Sequence, residues 1–553
     1  MMAGANLLAE TAMDERRPWL KLYAPDVPAE LAEVPVSPLM LFETALAADP
    51  MATALWYFRS AMSYAEIDAL ARRLGAMLAA RGVGWGDRIG VLNQNTPATV
   101  ITLVAAWRLG AAVVPLNPML TSHELDYYLV DSGAAALVVG ADMASILPAS
   151  LNGSPVFLTC AHDFLKDGEA PPTLSNAVRD PVLRPRWERF PLDTSLFDQP
   201  VAVTFPDAEA VALITYTSGT TGKAKGAMNS HANAAFTAEV YRHWLRLGPD
   251  DVILAAAPFS HVTGLIAHIA TSFAARAPMV VAHRFDTATM LDLIAHHRCT
   301  TAVAAITAYV ALMEHPDFDP AKLGSFVKLF SGGAPVAPAI VERWEKATGV
   351  YIHNAYGMTE TTSPSHIVPM GQRAPVDPAT GALSVGVPVP GTDCRLDGQD
   401  PDLGELFTRG PQVVRGYWHK PEATAENLVD GWLRTGDICR RDADGWFYIV
   451  DRAKDMIVAS GFKIWPREVE DVLVAHPDIV EAAVVGVPDS YRGERPQAHV
   501  VLREGATADT ATLISFCRER LSSYKVPRDF RFVPTLPKTL SGKILRRALK
   551  ETI

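Results

Sequence analysis

The feature that most constrains this chain is an alternation of short apolar runs with helical stretches, only a few residues apart. It reads RIGVLNQ (88–94), a helical segment around TVITLVAAWRLG (99–110), AAVVPLN (111–117), HELDYYLVDSG (123–133) and AALVVG (135–140). Strand and helix taking turns at this spacing imply a parallel sheet wrapped by helices. The pattern resumes at VALITYT (211–217), DVILAAAP (251–258), PMVVAHR (278–284), TAVAAIT (301–307) and VKLFSGG (327–333). From about residue 384 it gives way to short strands with turns, GELFTRG, WLRTGD and GWFYIVDR, which predict a small β-rich unit over about 384–450. The last hundred residues are charged: PREVEDVLVAHPDIVEAAVVGVPD reads as helix, turn and strand, and GKILRRALK forms a basic end. The expected fold is α/β. A large N-terminal body of helix-wrapped, mostly parallel sheets plus the β-rich unit (1–450) meets a boundary at 451–454, followed by a small α+β C-terminal domain (455–553).

Local signals sharpen this outline. Residues 63–81 (SYAEIDALARRLGAMLAAR) open with a Ser cap and a Glu three residues later, then repeat apolar residues at helical spacing, so they predict an amphipathic helix. The run Gly82-Val83-Gly84-Trp85-Gly86-Asp87 is similar to a dinucleotide-binding fingerprint, but it follows a helix and ends in Asp87 where the last Gly is required. It is read as a helix stop and turn. The apolar stretch Pro97 to Trp107 is about half the roughly 20 residues of a membrane span, which makes it a buried helix.

Composition removes several function classes. The 553 residues carry 50 Lys+Arg against 61 Asp+Glu, a net charge of −11, which argues against nucleic-acid binding. With 49% apolar and 20% charged residues the chain is globular. Cys160, Cys299, Cys394, Cys439 and Cys517 are scattered, with no C-x-x-C pair, so neither a disulfide framework nor a zinc site is expected. The N-terminal segment MMAGANLLAETAMDERRPWLKLYAPD lacks the apolar core of a signal peptide. No transmembrane segment and a reducing, cytoplasmic location are the expectations.

The chemistry enters after VALITYT. The segment from Tyr216 to Gly226 gathers Thr217, Ser218, Thr220 and Thr221 with Gly219, Gly222 and Gly226 and with Lys223 and Lys225. Such a segment can wrap anionic oxygens, since glycines let backbone N–H groups approach, hydroxyls donate and lysines supply charge. It is not a Walker A loop: Thr217 stands five residues before Gly222, and Lys223 is followed by Ala224.

This loop resembles the signature loop of the adenylate-forming superfamily of acyl-CoA synthetases, aryl-CoA ligases, luciferases and peptide-synthetase adenylation domains, and further elements follow in the family's order. Tyr356-Gly357-Met358-Thr359-Glu360 is similar to the second core motif; the resemblance implies an adenine stacked on Tyr356, Thr359 at the α-phosphate and Glu360 holding magnesium. A carboxylate beside a triphosphate makes independent sense only through a hard cation. Gly332-Gly333-Ala334-Pro335 matches the wall of the adenine and acyl site, and Thr435-Gly436-Asp437 the element whose Asp accepts the ribose hydroxyls. Asp451-Arg452-Ala453-Lys454 is similar to the hinge motif, with Arg452 reaching the nucleotide and Lys454 as pivot. Gly461 matches the passage of a pantetheine arm, and Lys543 in Pro537-Lys538-Thr539-Leu540-Ser541-Gly542-Lys543 the catalytic lysine of the first half-reaction. The resemblance covers roughly 40–550. Its one departure is Ala224, where the family usually has Pro; that loosens the loop and removes no ligand.

The implied activity is an AMP-forming acid–thiol ligase. A carboxylate attacks the α-phosphorus of MgATP to give an acyl-adenylate, with Thr220 as a further magnesium ligand and Lys223 and Lys225 on the pyrophosphate side. The small mobile C-terminal domain then turns about Lys454, and coenzyme A takes the acyl group. The partners are a carboxylic acid, ATP and coenzyme A, and the resemblance is compatible with a homodimer. Amino-acid activation is not expected, because no carboxylate appears from Pro258 to Ala275 to hold an ammonium. By matching, His261, Thr263, Gly264, Ile306, Thr307, Gly332, Gly333, Ala334, Ala355 and Thr361 line the acyl pocket. None is a carboxylate or a lysine, which suits a medium or long fatty acid or a bulky ring acid. His261 reads equally as a packed interior histidine.

The alternatives are an acyl-AMP ligase that delivers to a carrier protein, an aryl-CoA ligase and, from another class, a nucleotide-binding protein without turnover. A zinc hydrolase lacks a second His after His123-Glu124, no Gly-x-Ser-x-Gly elbow occurs around Ser218 or Ser331, and His296 and His297 read as surface or packing residues.

Overall fold

Apolar runs that are buried on both faces dominate the molecule, as a parallel sheet requires. The computed structural model describes residues 17–148, 151, 153–166, 171–184, 187–192, 205–217, 224–452, 455–459, 462–489, 493–539 and 542–550. A seven-stranded sheet runs in the order Trp187–Arg189, Val156–Thr159, Ala136–Gly140, Arg88–Leu92, Ala112–Leu116, Val211–Thr217 and Lys225–Ser230. All its pairs are parallel except the last, which is antiparallel.

A nine-stranded sheet is ordered Val387–Pro388, Ser363–Ile367, Ile352–Met358, Lys328–Ser331, Thr301–Ala304, Ile253–Leu254, Met279–Val281, Thr53–Tyr57 and Ser60–Ser63. Its middle is parallel, and Ala304, Ser331 and Asn354 lie in register across three adjacent strands. The helix Pro97–Arg108 is buried at every position. That explains its apolar character all round. Its Trp107 indole donates to the Ala212 carbonyl at 3.2 Å, and its buried Arg108 guanidinium is held by Glu43 and Asp68. The helix Tyr64–Ala79 carries the capping box read from Ser63 and Glu66, and Gly82 and Gly86 take left-handed φ in the turn that follows.

The run 251–258 forms a strand only at Ile253–Leu254. Side chains take over its backbone groups beyond that point: Asn95 donates to the Ala257 carbonyl at 3.0 Å and accepts from Phe259 N–H at 2.7 Å, and His268 Nε2 accepts from Ala257 N–H at 3.0 Å. These side-chain hydrogen bonds, two of them from the distant Asn95, take the place of the ladder and end the strand.

The β-rich unit is a sheet ordered Asp393–Asp400, Leu403–Arg409, Trp432–Arg441 and Leu428–Val429, with Phe447–Arg452 also on Trp432–Arg441. Residues beyond 455 build their own sheet, Phe462–Ile464, Ile457–Ala459, Gly493–Leu502 and Ile479–Asp489, with Asp529–Phe532 parallel to Gly493–Leu502. Pro466–Val474 and Thr510–Arg518 pack on it around an apolar core of their own that includes Val469, Leu473, Val484 and Leu513. The fold is therefore α/β with parallel sheets and a small C-terminal domain. Among the described residues no helix is long and apolar enough to cross a membrane.

Candidate active site

Parallel strands aim their carboxyl ends at one edge, and the candidate residues gather there. The strand Val211–Thr217 leads into the hydroxyl- and glycine-rich segment, and Lys225–Ser230 returns antiparallel, with Thr217 opposite Lys225. The two strands thus pair as the arms of a hairpin at Thr217 and Lys225. Thr217 Oγ1 donates to the Lys225 carbonyl at 3.4 Å, and Tyr127 Oη donates to the Ala224 carbonyl at 2.8 Å. One residue before Thr217, Tyr216 Oη donates to Asp131 Oδ2 at 2.8 Å. Tyr127 and Asp131 both belong to the helix Ser122–Ser132, so one helix holds both stems of the hairpin. Ser218, Gly219, Thr220, Thr221, Gly222 and Lys223 lie outside the described residues.

Glu360 sits in a single 3-10 turn, Thr359–Thr361, directly after the strand Ile352–Met358. The carboxylate is only 6% exposed, and its Oε1 accepts from Tyr417 Oη at 2.7 Å. Burial and the Glu360 charge raise the Tyr417 phenol far above its ordinary value, so it remains a donor. The Lys225 ammonium stands 5.3 Å from the centroid of the same ring. Asn229 fixes the turn by donating to the Thr359 carbonyl at 3.0 Å and to Thr362 Oγ1 at 2.9 Å, and Val414 N–H donates to the Glu360 carbonyl at 2.9 Å. Thr361 Oγ1 is engaged within the turn, accepting from Met358 N–H at 2.9 Å and donating to the Ser363 carbonyl at 2.8 Å, so this hydroxyl is committed to structure. Gly357 is obligatory there, since a Cβ would lie 1.7 Å from the Ser363 carbonyl oxygen.

Tyr356 Oη donates to Asp437 Oδ2 at 2.6 Å, which joins the second core motif to the β-rich unit. Burial first, and then the Asp437 charge, push the Tyr356 phenol well up. Arg452 pairs with Asp437 across the sheet, which puts its backbone opposite the carboxylate. Gly332 follows the strand Lys328–Ser331, and a Cβ on it would approach the Ala355 carbonyl oxygen to 2.9 Å, so the two expected wall residues are neighbours. Gly333 takes φ +80°, a turn that Ala334 continues from.

The C-terminal domain closes the other side. Residues 538–539 and 542–544 come together, with Lys538 bridged to Ile544, Gly542 N–H donating to the Thr539 carbonyl at 2.9 Å and Lys543 N–H to Thr539 Oγ1 at 3.1 Å. Gly542 rests on the body: a Cβ there would lie 2.6 Å from Thr307 Oγ1 and 3.1 Å from Ala305 Cβ. Ile306 and Thr307 open the helix Ile306–Glu314, directly after the strand Thr301–Ala304. His261 is half-buried, its Nδ1 accepting from Thr263 N–H at 3.2 Å. Burial, with the nearby Lys543 ammonium as the second cause, pushes its imidazole down to about 4. It is therefore neutral near pH 7. Gly264 begins a π-helical stretch, Gly264–Ala270, and is pressed against the Pro258 carbonyl, where a Cβ would come to 2.1 Å.

The structure thus brings together Thr217 with Lys225, Lys225 and Glu360 at the Tyr417 ring, Tyr356 with Asp437, Gly332 with Ala355, and the stretch 542–543 with Thr307 and His261. Lys454 and Gly461 lie outside the described residues. Sequence reasoning missed Tyr417, Asn229, Tyr127 and Asp131. As for a metal, no group of three His, Cys, Asp or Glu forms a cage among the described residues. The buried Glu360 carboxylate, with a single side chain to offer, fits Mg²⁺, which keeps waters and is shared with substrate phosphates.

Residues 42–418 match the AMP-binding enzyme family, and residues 468–543 match the AMP-binding enzyme C-terminal domain. A long-chain-fatty-acid–CoA ligase of Bacillus subtilis is 35% identical over 563 residues, covering 98% of each chain. A feruloyl-CoA synthase of an Amycolatopsis species is 36% identical over 503 residues, covering 90% of this chain and 95% of its own. The crystal structure of the anthranilate CoA ligase AuaEII in complex with anthranoyl-AMP superimposes with a TM-score of 0.81 at 26% identity, over 95% of this chain and 98% of that one.

Proposed function

The chain belongs to the AMP-binding enzymes, as an AMP-forming acyl-CoA ligase, and from that membership we propose that the acid it activates is a hydrophobic carboxylate, a medium or long fatty acid or a bulky ring acid. The observation that carries this is the seat of residues 542–543 against Thr307 and His261: the cation stands beside an otherwise small, apolar or neutral lining. A pocket whose described lining residues, Gly264, Ile306, Thr307, Gly332 and Ala355, bear no charge repels a second carboxylate and accepts apolar volume. The fatty-acid and ring-acid relatives match at nearly the same identity, so both classes stay in the proposal.

In the first half-reaction Lys543 holds the substrate carboxylate against the α-phosphate, while Thr217, Lys225 and the segment 218–223 hold the departing pyrophosphate. Tyr356 lies against the adenine, and Asp437 with Arg452 orients the ribose. Glu360, with Thr220, would hold Mg²⁺, which would supply neutralisation of the triphosphate charge toward the attacking carboxylate. His261 stays neutral and shapes the acyl side. In the second half-reaction the division at 451–454 turns about Lys454, Lys543 withdraws, and Gly461 admits the thiol of coenzyme A. Both co-substrates are supplied in the cytoplasm, where we assign the enzyme.

The test is release of AMP and pyrophosphate across a panel of acids, with and without coenzyme A, with the acyl product followed by mass spectrometry. A hydrophobic acid should give acyl-CoA only when both ATP and coenzyme A are present; accumulation of adenylate with coenzyme A ignored points to a carrier protein as acceptor and overturns the thiol assignment. Lys543→Ala should abolish adenylate formation and spare thioester formation from supplied acyl-adenylate. Equal loss of both steps removes Lys543 from its role.

A further inference from the structure

Tyr417 belongs to none of the sequence motifs, yet it touches two of them. Its position is set by backbone: Met228 N–H donates to the Gly416 carbonyl at 3.0 Å and Trp418 N–H to the Gly226 carbonyl at 2.8 Å, so Tyr417 forms a single antiparallel bridge with Ala227 of the strand Lys225–Ser230. Gly416 allows this with φ +153°, where a Cβ would come within 2.6 Å of the Thr424 side chain, and Tyr417 N–H is tied to Thr424 Oγ1 at 3.0 Å. The ring packs with Ala227 and Val414, and the residue is 6% exposed. From this fixed seat the hydroxyl donates to Glu360 Oε1 at 2.7 Å while one ring face takes the Lys225 ammonium.

We propose that Tyr417 is a positioning residue that sets the plane of the Glu360 carboxylate for the metal of MgATP and keeps that carboxylate apart from the Lys225 ammonium. The argument rests on the role given above to Glu360. A carboxylate that ligates a metal needs its orientation fixed by a second hydrogen bond, and loss of such a partner costs 10- to 100-fold in metal affinity. Two opposite charges facing one buried region would otherwise pair directly, and a direct Lys225–Glu360 ion pair would compete with phosphate for the lysine and with the cation for the carboxylate. An aromatic ring between them satisfies both at once: its hydroxyl donates to the anion and its π-face attracts the cation.

The experiment measures binding without turnover. Mn²⁺ binding to the enzyme carrying a non-hydrolysable ATP analogue is followed by electron paramagnetic resonance, and metal-free binding of the same analogue by calorimetry, for wild type, Tyr417→Phe, Tyr417→Leu and Glu360→Gln. Tyr417→Phe keeps the ring and should weaken Mn²⁺ binding about 10- to 100-fold, leaving metal-free nucleotide affinity within about twofold. Tyr417→Leu should weaken both, because the face that holds Lys225 is gone. If Glu360→Gln weakens Mn²⁺ binding and Tyr417→Phe does not, or if Tyr417→Phe lowers both affinities alike, the positioning role is refuted. If Glu360→Gln itself leaves Mn²⁺ binding unchanged, it is the role of Glu360 that fails, and the inference fails with it.

Discussion

Gly542→Ala separates the two half-reactions by geometry alone. Two penalties fall on the new methyl group. The first is conformational: Gly542 sits at φ +81°, and an L-residue held in the left-handed region costs about 1–2 kcal/mol. That strain belongs to the backbone at residue 542 and is present wherever the C-terminal domain stands. The second is steric and depends on docking, since the Cβ would lie 2.6 Å from Thr307 Oγ1 and 3.1 Å from Ala305 Cβ. Thr307 is β-branched and stiff at χ1, so it cannot simply swing aside. Overpacking of this kind costs about 1–3 kcal/mol, which at 1.36 kcal/mol per decade is about a 5- to 150-fold loss in the step that needs Lys543 in place. The assay compares acid-dependent pyrophosphate exchange with thioester formation from supplied acyl-adenylate and coenzyme A. Exchange should fall by that factor, and the thioester step much less. Thr307→Ala in the same chain should recover most of the steric part, leaving the conformational part, and the double-mutant cycle should return a coupling energy of about 0.5–3 kcal/mol. Equal losses in both steps, or strict additivity with Thr307→Ala, would refute the idea that residue 542 acts through docking on 305–307.

Two further expectations follow from particular contacts. Tyr127→Phe removes the hydroxyl that holds the Ala224 carbonyl at 2.8 Å; a lost hydrogen bond of about 1 kcal/mol should raise the KM for ATP about fivefold, and Ala224→Pro, which stiffens the same stem, should restore it in steady-state kinetics. Burial pushes the imidazoles of His231, His268 and His366 down to about 3 and those of His283 and His353 to about 4, against 6.5 in the unfolded chain. The unfolded chain therefore binds more protons below pH 6.5, so the stability these groups give is full above that pH and declines as pH falls from 6.5 toward 4 and 3, by up to about 1.4 kcal/mol per pH unit for each. Urea melts between pH 7.5 and 5 read this directly, and flat stability over that range counts against five neutral buried histidines.

Much of the body could be read from the sequence because parallel strands covered on both faces must be apolar throughout, and helices between them must be periodic. The C-terminal domain was legible for a different reason: its apolar stripe on Pro466–Val474 and the run Ile479–Asp489 form a pattern complete within themselves. Where the expectation shortened, at 251–258, the cause was nonlocal. Asn95, more than 150 residues upstream, supplies the hydrogen bonds that end the strand. The site divides in the same way. Glycine, hydroxyl and charge clusters such as 216–226 and 356–360 show their chemistry in a short window. Tyr417, Asn229, Tyr127 and Asp131 act through contacts with partners 57, 130, 97 and 85 residues away. Nothing in RGYW (415–418) or in HELDYYLVDSG distinguishes such residues from those of an ordinary turn or helix face.

These long-range contacts share a direction that bears on how one edge can serve two reactions. Tyr356, on the strand Ile352–Met358 of the nine-stranded sheet, bonds Asp437 on the β-rich sheet, and Asp437 lies in register with Arg452 on the last strand before the C-terminal domain. The carboxylate proposed for the ribose is thus built into the near side of the proposed pivot at Lys454. On the far side, the buried Arg467 donates from its guanidinium to the Ile449 carbonyl at 2.5 Å and from its backbone N–H to Asp451 Oδ2 at 3.1 Å. If the domain turns about that proposed pivot, the contacts of Arg467 and of Gly542 must exchange, while Tyr356, Asp437 and the backbone pairing of residue 452 stay as they are. The nucleotide half of the site can then persist through both half-reactions while the acyl side changes partners, which is what retention of an adenylate between two steps demands.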